Sequence, residues 1–166
     1  MAFKGSIQPF ESSSFGMGSG IKFAVASGTT ASILPGDLVT KVAGAAYVIK
    51  GADNTPTTTA KVVGVASSFS TETASKVGTV DVIVARSGQL WMANIDVAAD
   101  IDTQAKYNAL LGTRAVLEYD AANDPSFTML SADGATYGCV YEYNDISRYP
   151  GKVVFSFAPN AFYNVT

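Results

Sequence analysis

With 166 residues, the chain is long enough for one domain or two small halves packed together, and its 48% apolar content supports a sizeable core. Eleven Lys and Arg against fourteen Asp and Glu leave a net charge of −3, with the basic residues scattered from Lys4 to Lys152. That scatter excludes the clustered basic surface a nucleic-acid partner needs, and no stretch approaches the ~20 apolar residues that span a bilayer.

Residues 1–20 read as an extended N-terminal arm. Ser12-Ser13-Ser14 and Gly16-Met17-Gly18-Ser19-Gly20 give backbone freedom without periodicity, and Phe3, Phe10 and Phe15 interrupt them as aromatic beads. Such beads need an apolar surface, either the arm's own core or a neighbour. The N-terminus has no apolar h-region, so synthesis in a reducing cytoplasm is expected.

From Ile21 onward, strands are predicted near 21–26, 37–42, 46–50, 60–66, 78–85 and 89–95, with Val80, Val82 and Val84 on one face. Pro35-Gly36-Asp37, Gly51-Ala52-Asp53-Asn54 and Ser87-Gly88 are turn signals. Thr55 to Thr59 reads as a loop, and Ser67 to Lys76 as a loop or a frayed helix. A short helix is predicted over 103–111, with Asp102 as N-cap and Gly112 just past its end. Further strands are expected near 113–119, 126–131, 136–143 and 152–158. Many short strands and one short helix predict an all-β fold, an antiparallel β-sandwich or barrel over residues 21–166.

Within that β region a three-part cassette recurs. Gly36 to Lys41, Val62 to Ala66 and Gly78 to Val84 are followed by Gly112 to Tyr119, Thr136 to Tyr141 and Gly151 to Phe157. Matching glycines lie 76, 74 and 73 residues apart (36 to 112, 64 to 138, 78 to 151). This is a candidate internal repeat with halves at 36–84 and 112–157, and coincidence among β-rich segments is the alternative.

Catalytic chemistry finds little support. The chain has no histidine, which removes the usual base of serine, cysteine and zinc mechanisms. The one cysteine, Cys139, lies at an alternating strand position and reads as a small buried hydrophobe. Asp96, Asp100 and Asp102, and Asp120 with Asp124, lack calcium-loop spacing and read as turn and capping residues. Gly16 to Gly20 lacks the strand and helix of a phosphate cradle. Trp91 with Tyr137, Tyr141 and Tyr143 offers either a sugar-stacking platform or, in an otherwise apolar strand, a core residue. The terminal Asn164-Val165-Thr166 matches a glycosylation sequon that carries no meaning without secretion. No enzyme, cofactor or metal is expected.

Gly36-Asp37-Leu38-Val39, Tyr47-Val48-Ile49, Val63-Gly64-Val65-Ala66, Val80 to Val84, Ser87 to Trp91, Tyr137 to Val140 and Gly151 to Phe157 together resemble small bacteriophage capsid decoration proteins, also called cement or head-stabilisation proteins. The likeness covers about residues 30 to 158. It implies a structural virion protein on the capsid surface, bridging major capsid protein subunits as a homo-oligomer, with a trimer favoured and a dimer as the alternative. Phe3, Phe10 and Phe15 are then the capsid-contact candidates. The other readings are a head-fibre base, a tail-tube component and a carbohydrate-binding β-sandwich module.

Overall fold

A computed structural model describes residues 7–10, 20–28, 32–52, 60–95, 101–120, 126–129 and 138–162. Within these the regular elements are almost all strands, arranged as two sheets that share an apolar cluster. The all-β expectation is met.

The first sheet holds β2 (Ile21–Val25), β3 (Leu38–Val42), β4 (Ile49–Lys50), β5 (Ala60–Ala66) and β6 (Gly78–Val84) in the order β2-β6-β5-β3-β4. Every ladder in it is antiparallel, and a parallel bridge of Val25 to Val48 closes the circuit from β4 back to β2. A bulge in β5 makes Val39 pair with Gly64 and Thr40 with Val62, which leaves Val63 as the extra residue. The bulge re-phases the strand. Val62 and Val65 turn towards the second sheet, while Val63 and Ala66 join the enclosed cluster of Val25, Ile33, Val39, Val48, Val80 and Val82.

The second sheet holds β7 (Leu90–Ile95), β8 (Arg114–Ala115), β9 (Leu117–Asp120), β10 (Ser126–Met129), β11 (Cys139–Glu142) and β12 (Lys152–Phe157), ordered β8-β11-β12-β7-β10-β9. Because β8 and β9 are one strand interrupted at Val116, this circuit closes as well. Its closing pair is again parallel, β10 on β7.

Strand by strand, the two circuits correspond. Phe23 pairs with Val80 as Ala93 does with Val153, Val39 with Gly64 as Ala115 does with Cys139, and Ala66 with Val82 as Tyr141 does with Phe155. Val25 meets Val48 in parallel as Ile95 meets Met129. The two cassettes therefore build units of one connectivity, with one correction to the glycine match: Gly64 holds the place of Cys139 and not that of Gly138, one residue earlier. The first unit encloses mostly valine; the second encloses Tyr141, Trp91, Phe155 and Phe157, and the rings of Trp91 and Phe155 each meet Phe157 edge-on.

The outer face of the first sheet, through Leu38, Val62, Val65 and Ala85, packs into the second unit's cluster, so the units share one apolar body. The C-terminal segment seals the seam. Phe162 bridges Val62 and meets the Phe157 ring edge-on, and Lys61 Nζ donates to the Asn160 carbonyl at 2.7 Å.

The start of the helix needs correcting, and the choice left open at Ser67 to Lys76 is decided. The helix, α1 (Gln104–Leu110), is capped by Thr103 rather than Asp102: the Thr103 hydroxyl accepts from Lys106 N–H, while Asp102 pairs with Lys106 Nζ at 2.8 Å. One residue later than predicted is the position from which a side-chain oxygen reaches the free amides. Gly112, at φ +75°, lies just past the helix end as expected. Ser67 to Lys76 carries no helix. It is a loop bound to its surroundings by Ser70 N–H on Ile33 O, Thr71 N–H on Thr79 O and Gly28 N–H on Thr73 O.

The stretch read as an arm is in part a strand. β1 (Gln8–Pro9) runs antiparallel to β7, Ile7 is buried in the core, and Phe10 N–H donates to Leu90 O at 3.0 Å. The physical reason lies in β7: β10 pairs with it only at Asn94 and Ile95, and β1 covers the edge left open at Trp91 and Met92. Phe3 and Phe15 lie outside the described residues, as do Gly16 to Ser19, Asp96, Asp100, Asp124, Tyr137, Asn164 and the loop at 55–59.

Candidate docking surface

Hairpin β3–β4 places apolar side chains where water meets them. Strand alternation sends Val39 and Val48 into the first unit and leaves Thr40, Val42, Tyr47 and Ile49 on the opposite face. Thr40 stands opposite Ile49, Val42 ends β3, and Tyr47 lies in the bend that leads into β4. Thr40 is buried, but Val42, Tyr47 and Ile49 are 41%, 37% and 41% exposed. Among the described residues, the other large exposed apolar side chains are Ile21, Phe69 and Val77 on the first unit and Leu111 and Tyr143 on the second half. The first unit therefore carries most of the exposed apolar surface, the feature that marks interaction sites.

Beneath the hairpin lies a buried ion pair. Lys50 Nζ is 2.8 Å from Asp37 Oδ2, and the same ammonium lies 4.0 Å from the centroid of the Tyr119 ring of the second unit. Asp37 also accepts from Leu34 N–H at 2.8 Å. Burial nevertheless pushes the Asp37 carboxyl above its ordinary value, with the Lys50 and Leu34 hydrogen bonds pulling in the other direction. This arrangement ties the end of β4 to Asp37 beside β3 and to Tyr119 of the second unit.

The sequence candidates fall as follows. Phe10 is half-buried and its ring meets Tyr149 edge-on at 5.5 Å, so part of it is engaged within its own chain. Trp91 is fully buried against Phe157, as its apolar strand suggested, and cannot offer a stacking face to a sugar. Tyr141 is buried too, and Tyr143 alone of the described tyrosine row faces solvent. Cys139 is buried, and desolvation raises its thiol well above the ordinary value, which leaves it inert. Among the described residues no group of His, Cys, Asp and Glu is placed to hold a metal ion, and no helix is long and apolar enough to cross a membrane.

Sequence reasoning missed the hairpin face. Its signal was present: three consecutive apolar residues, Tyr47-Val48-Ile49, in a strand that alternates must send at least one outward. Nothing in the sequence showed that the outward pair would remain uncovered. Comparison with protein-family models, curated proteins and solved structures finds no match for this chain.

Proposed function

We propose that the protein is a structural fastener, a capsid decoration or cement protein that binds the outside of a bacteriophage head and bridges major capsid protein subunits. The observation that carries this reading is the exposed apolar face of Val42, Tyr47 and Ile49, held on a hairpin anchored by a buried ion pair. Low charge and the resemblance to decoration proteins point the same way. The two units share one of the two apolar clusters, and a body joined in that way resists being pulled apart between neighbours under internal pressure. A stable contact of this kind buries roughly 1,200–2,000 Å², and many copies on one shell act together. Phe3 and Phe15 remain candidate contacts, and Phe10 contributes what Tyr149 leaves free.

The test is co-sedimentation with expanded, undecorated heads of the phage that encodes the chain. Wild type pellets with the heads, and V42S/Y47S/I49S binds at least tenfold more weakly while keeping its fold. Removing residues 1–6 tests the Phe3 contact without disturbing β1. Equal binding by the triple variant would withdraw the hairpin face as the grip.

A further inference from the structure

The correspondence between the two units exposes a difference at one edge. On β7, β1 covers Leu90 to Met92: Pro9 pairs with Trp91, Gln8 with Met92, and Phe10 N–H donates to Leu90 O. The positions that correspond on β2 are Gly20, Ile21 and Lys22. There Val48 N–H donates to Ala24 O at 3.0 Å, which shows that even-numbered residues of β2 point their peptide groups away from β6. The next such residue, Lys22, has no backbone partner on that side among the described residues. Where Trp91 is buried beneath β1, its counterpart Ile21 is 55% exposed.

We propose that the Gly20–Phe23 edge of β2 is a strand-acceptor site for an extended, uncharged segment of a partner protein. The segment runs antiparallel to β2 and carries apolar, polar and apolar residues opposite Phe23, Lys22 and Ile21. Ile7-Gln8-Pro9 shows this pattern on the corresponding edge of β7, with Ile7 buried in the core. The edge is close to electroneutral, because Lys22 Nζ lies 3.2 Å from Asp81 Oδ1, so a charged segment gains nothing there. A second copy's β2 is disfavoured: edge-to-edge pairing would set Lys22 against Lys22 and meet β4 at Ala24. Main-chain hydrogen bonds supply the affinity and the apolar positions the selectivity. The source of the segment rests on the fastening reading, in which it belongs to a shell subunit; the acceptor geometry does not.

The test uses the full-length chain, isotope-labelled, with an end-capped, uncharged synthetic peptide of the sequence Ser-Ile-Gln-Pro-Phe, that of Ser6 to Phe10. In the isolated chain the Lys22 amide exchanges fast, and saturating peptide slows it at least tenfold. Lys22→Ala retains peptide binding. Lys22→Pro takes away the outward donor as well as the side chain, so it is read against Lys22→Ala; it binds at least tenfold more weakly than Lys22→Ala, with the β5 and β6 resonances in place. The proposal is overturned if the Lys22 amide is already protected in the isolated chain, if the peptide perturbs only Leu90 to Met92, or if Lys22→Pro binds as wild type does. Because the assay contains no shell, its failure removes the acceptor site alone, and failure to bind heads removes the fastening reading alone.

Discussion

Lys50 and Asp37 form an ion pair at 2.8 Å with side chains only 9% and 3% exposed. Both charges lie in the interior, so removing one partner costs more than the pair contributes. Lys50→Met is expected to destabilise the protein by about 3 kcal/mol, the low end of the range for stranding a buried charge, because Asp37 can take up a proton instead. The sign with pH follows. Asp37 in the folded state titrates above 3.8, so its contribution to stability is greatest at low pH and falls as pH rises from 3.8 to the higher folded value. Denaturant unfolding between pH 4 and pH 8 should show this fall, steeper in Lys50→Met and absent in Asp37→Asn.

Tyr107 links the helix to the second sheet. Its hydroxyl donates to Glu142 O at 2.8 Å and accepts from the buried Val154 N–H at 2.9 Å. Tyr107→Phe strands both groups and is expected to cost about 1–3 kcal/mol. Burial pushes the phenol up to about 12 from 10.0, so its hydrogen bonds are intact below pH 10 and the stability they contribute is lost as pH rises from 10 towards 12. Absorbance titration of the wild type against Tyr107→Phe should show that the variant lacks one late-ionising phenol.

Gly64 and Gly138 are required for space. A Cβ at Gly64 would lie 2.1 Å from Ile83 O, and one at Gly138 would lie 2.1 Å from Ala115 O. Alanine at either site forces two strands apart and should exceed the roughly 1 kcal/mol expected at Gly112, where the surroundings are open and only the positive φ resists. Thermal unfolding of the three alanine variants gives the ranking.

Cys139 is sealed by the second unit. Labelling by a thiol reagent should be slow under native conditions and match the rate of global opening, rising when Gly138→Ala loosens the same strand. Rapid labelling of the native wild type would show that β11 opens independently.

Most strands could be read from the sequence because alternation and turn residues are local properties. β5, β6, β7 and β12 begin and end within a residue or so of where the pattern puts them. β1 could not be read this way: Gln8 and Pro9 have weak strand propensity, and only the vacancy on β7 makes them a strand. The cassette was visible, yet the glycines that revealed it do different work. Gly36 and Gly112 both adopt positive φ, whereas Gly78 is packed against the Glu72 backbone and Gly151 is a left-handed turn residue. Nor did the sequence show that β4 and β10 close their circuits in parallel, since that pairing joins residues far apart along the chain. The exposed hairpin face, and the edge of β2 that no described residue covers, depend on what lies beside them in space, and no local pattern encodes that.

The most direct measurement is binding of the purified protein to expanded, undecorated heads, followed by the temperature at which those heads rupture. The account predicts saturable binding at a fixed ratio to major capsid protein and a higher rupture temperature, both lost in V42S/Y47S/I49S. A protein that remains in the supernatant with such heads, or binds without raising their rupture temperature, would contradict it.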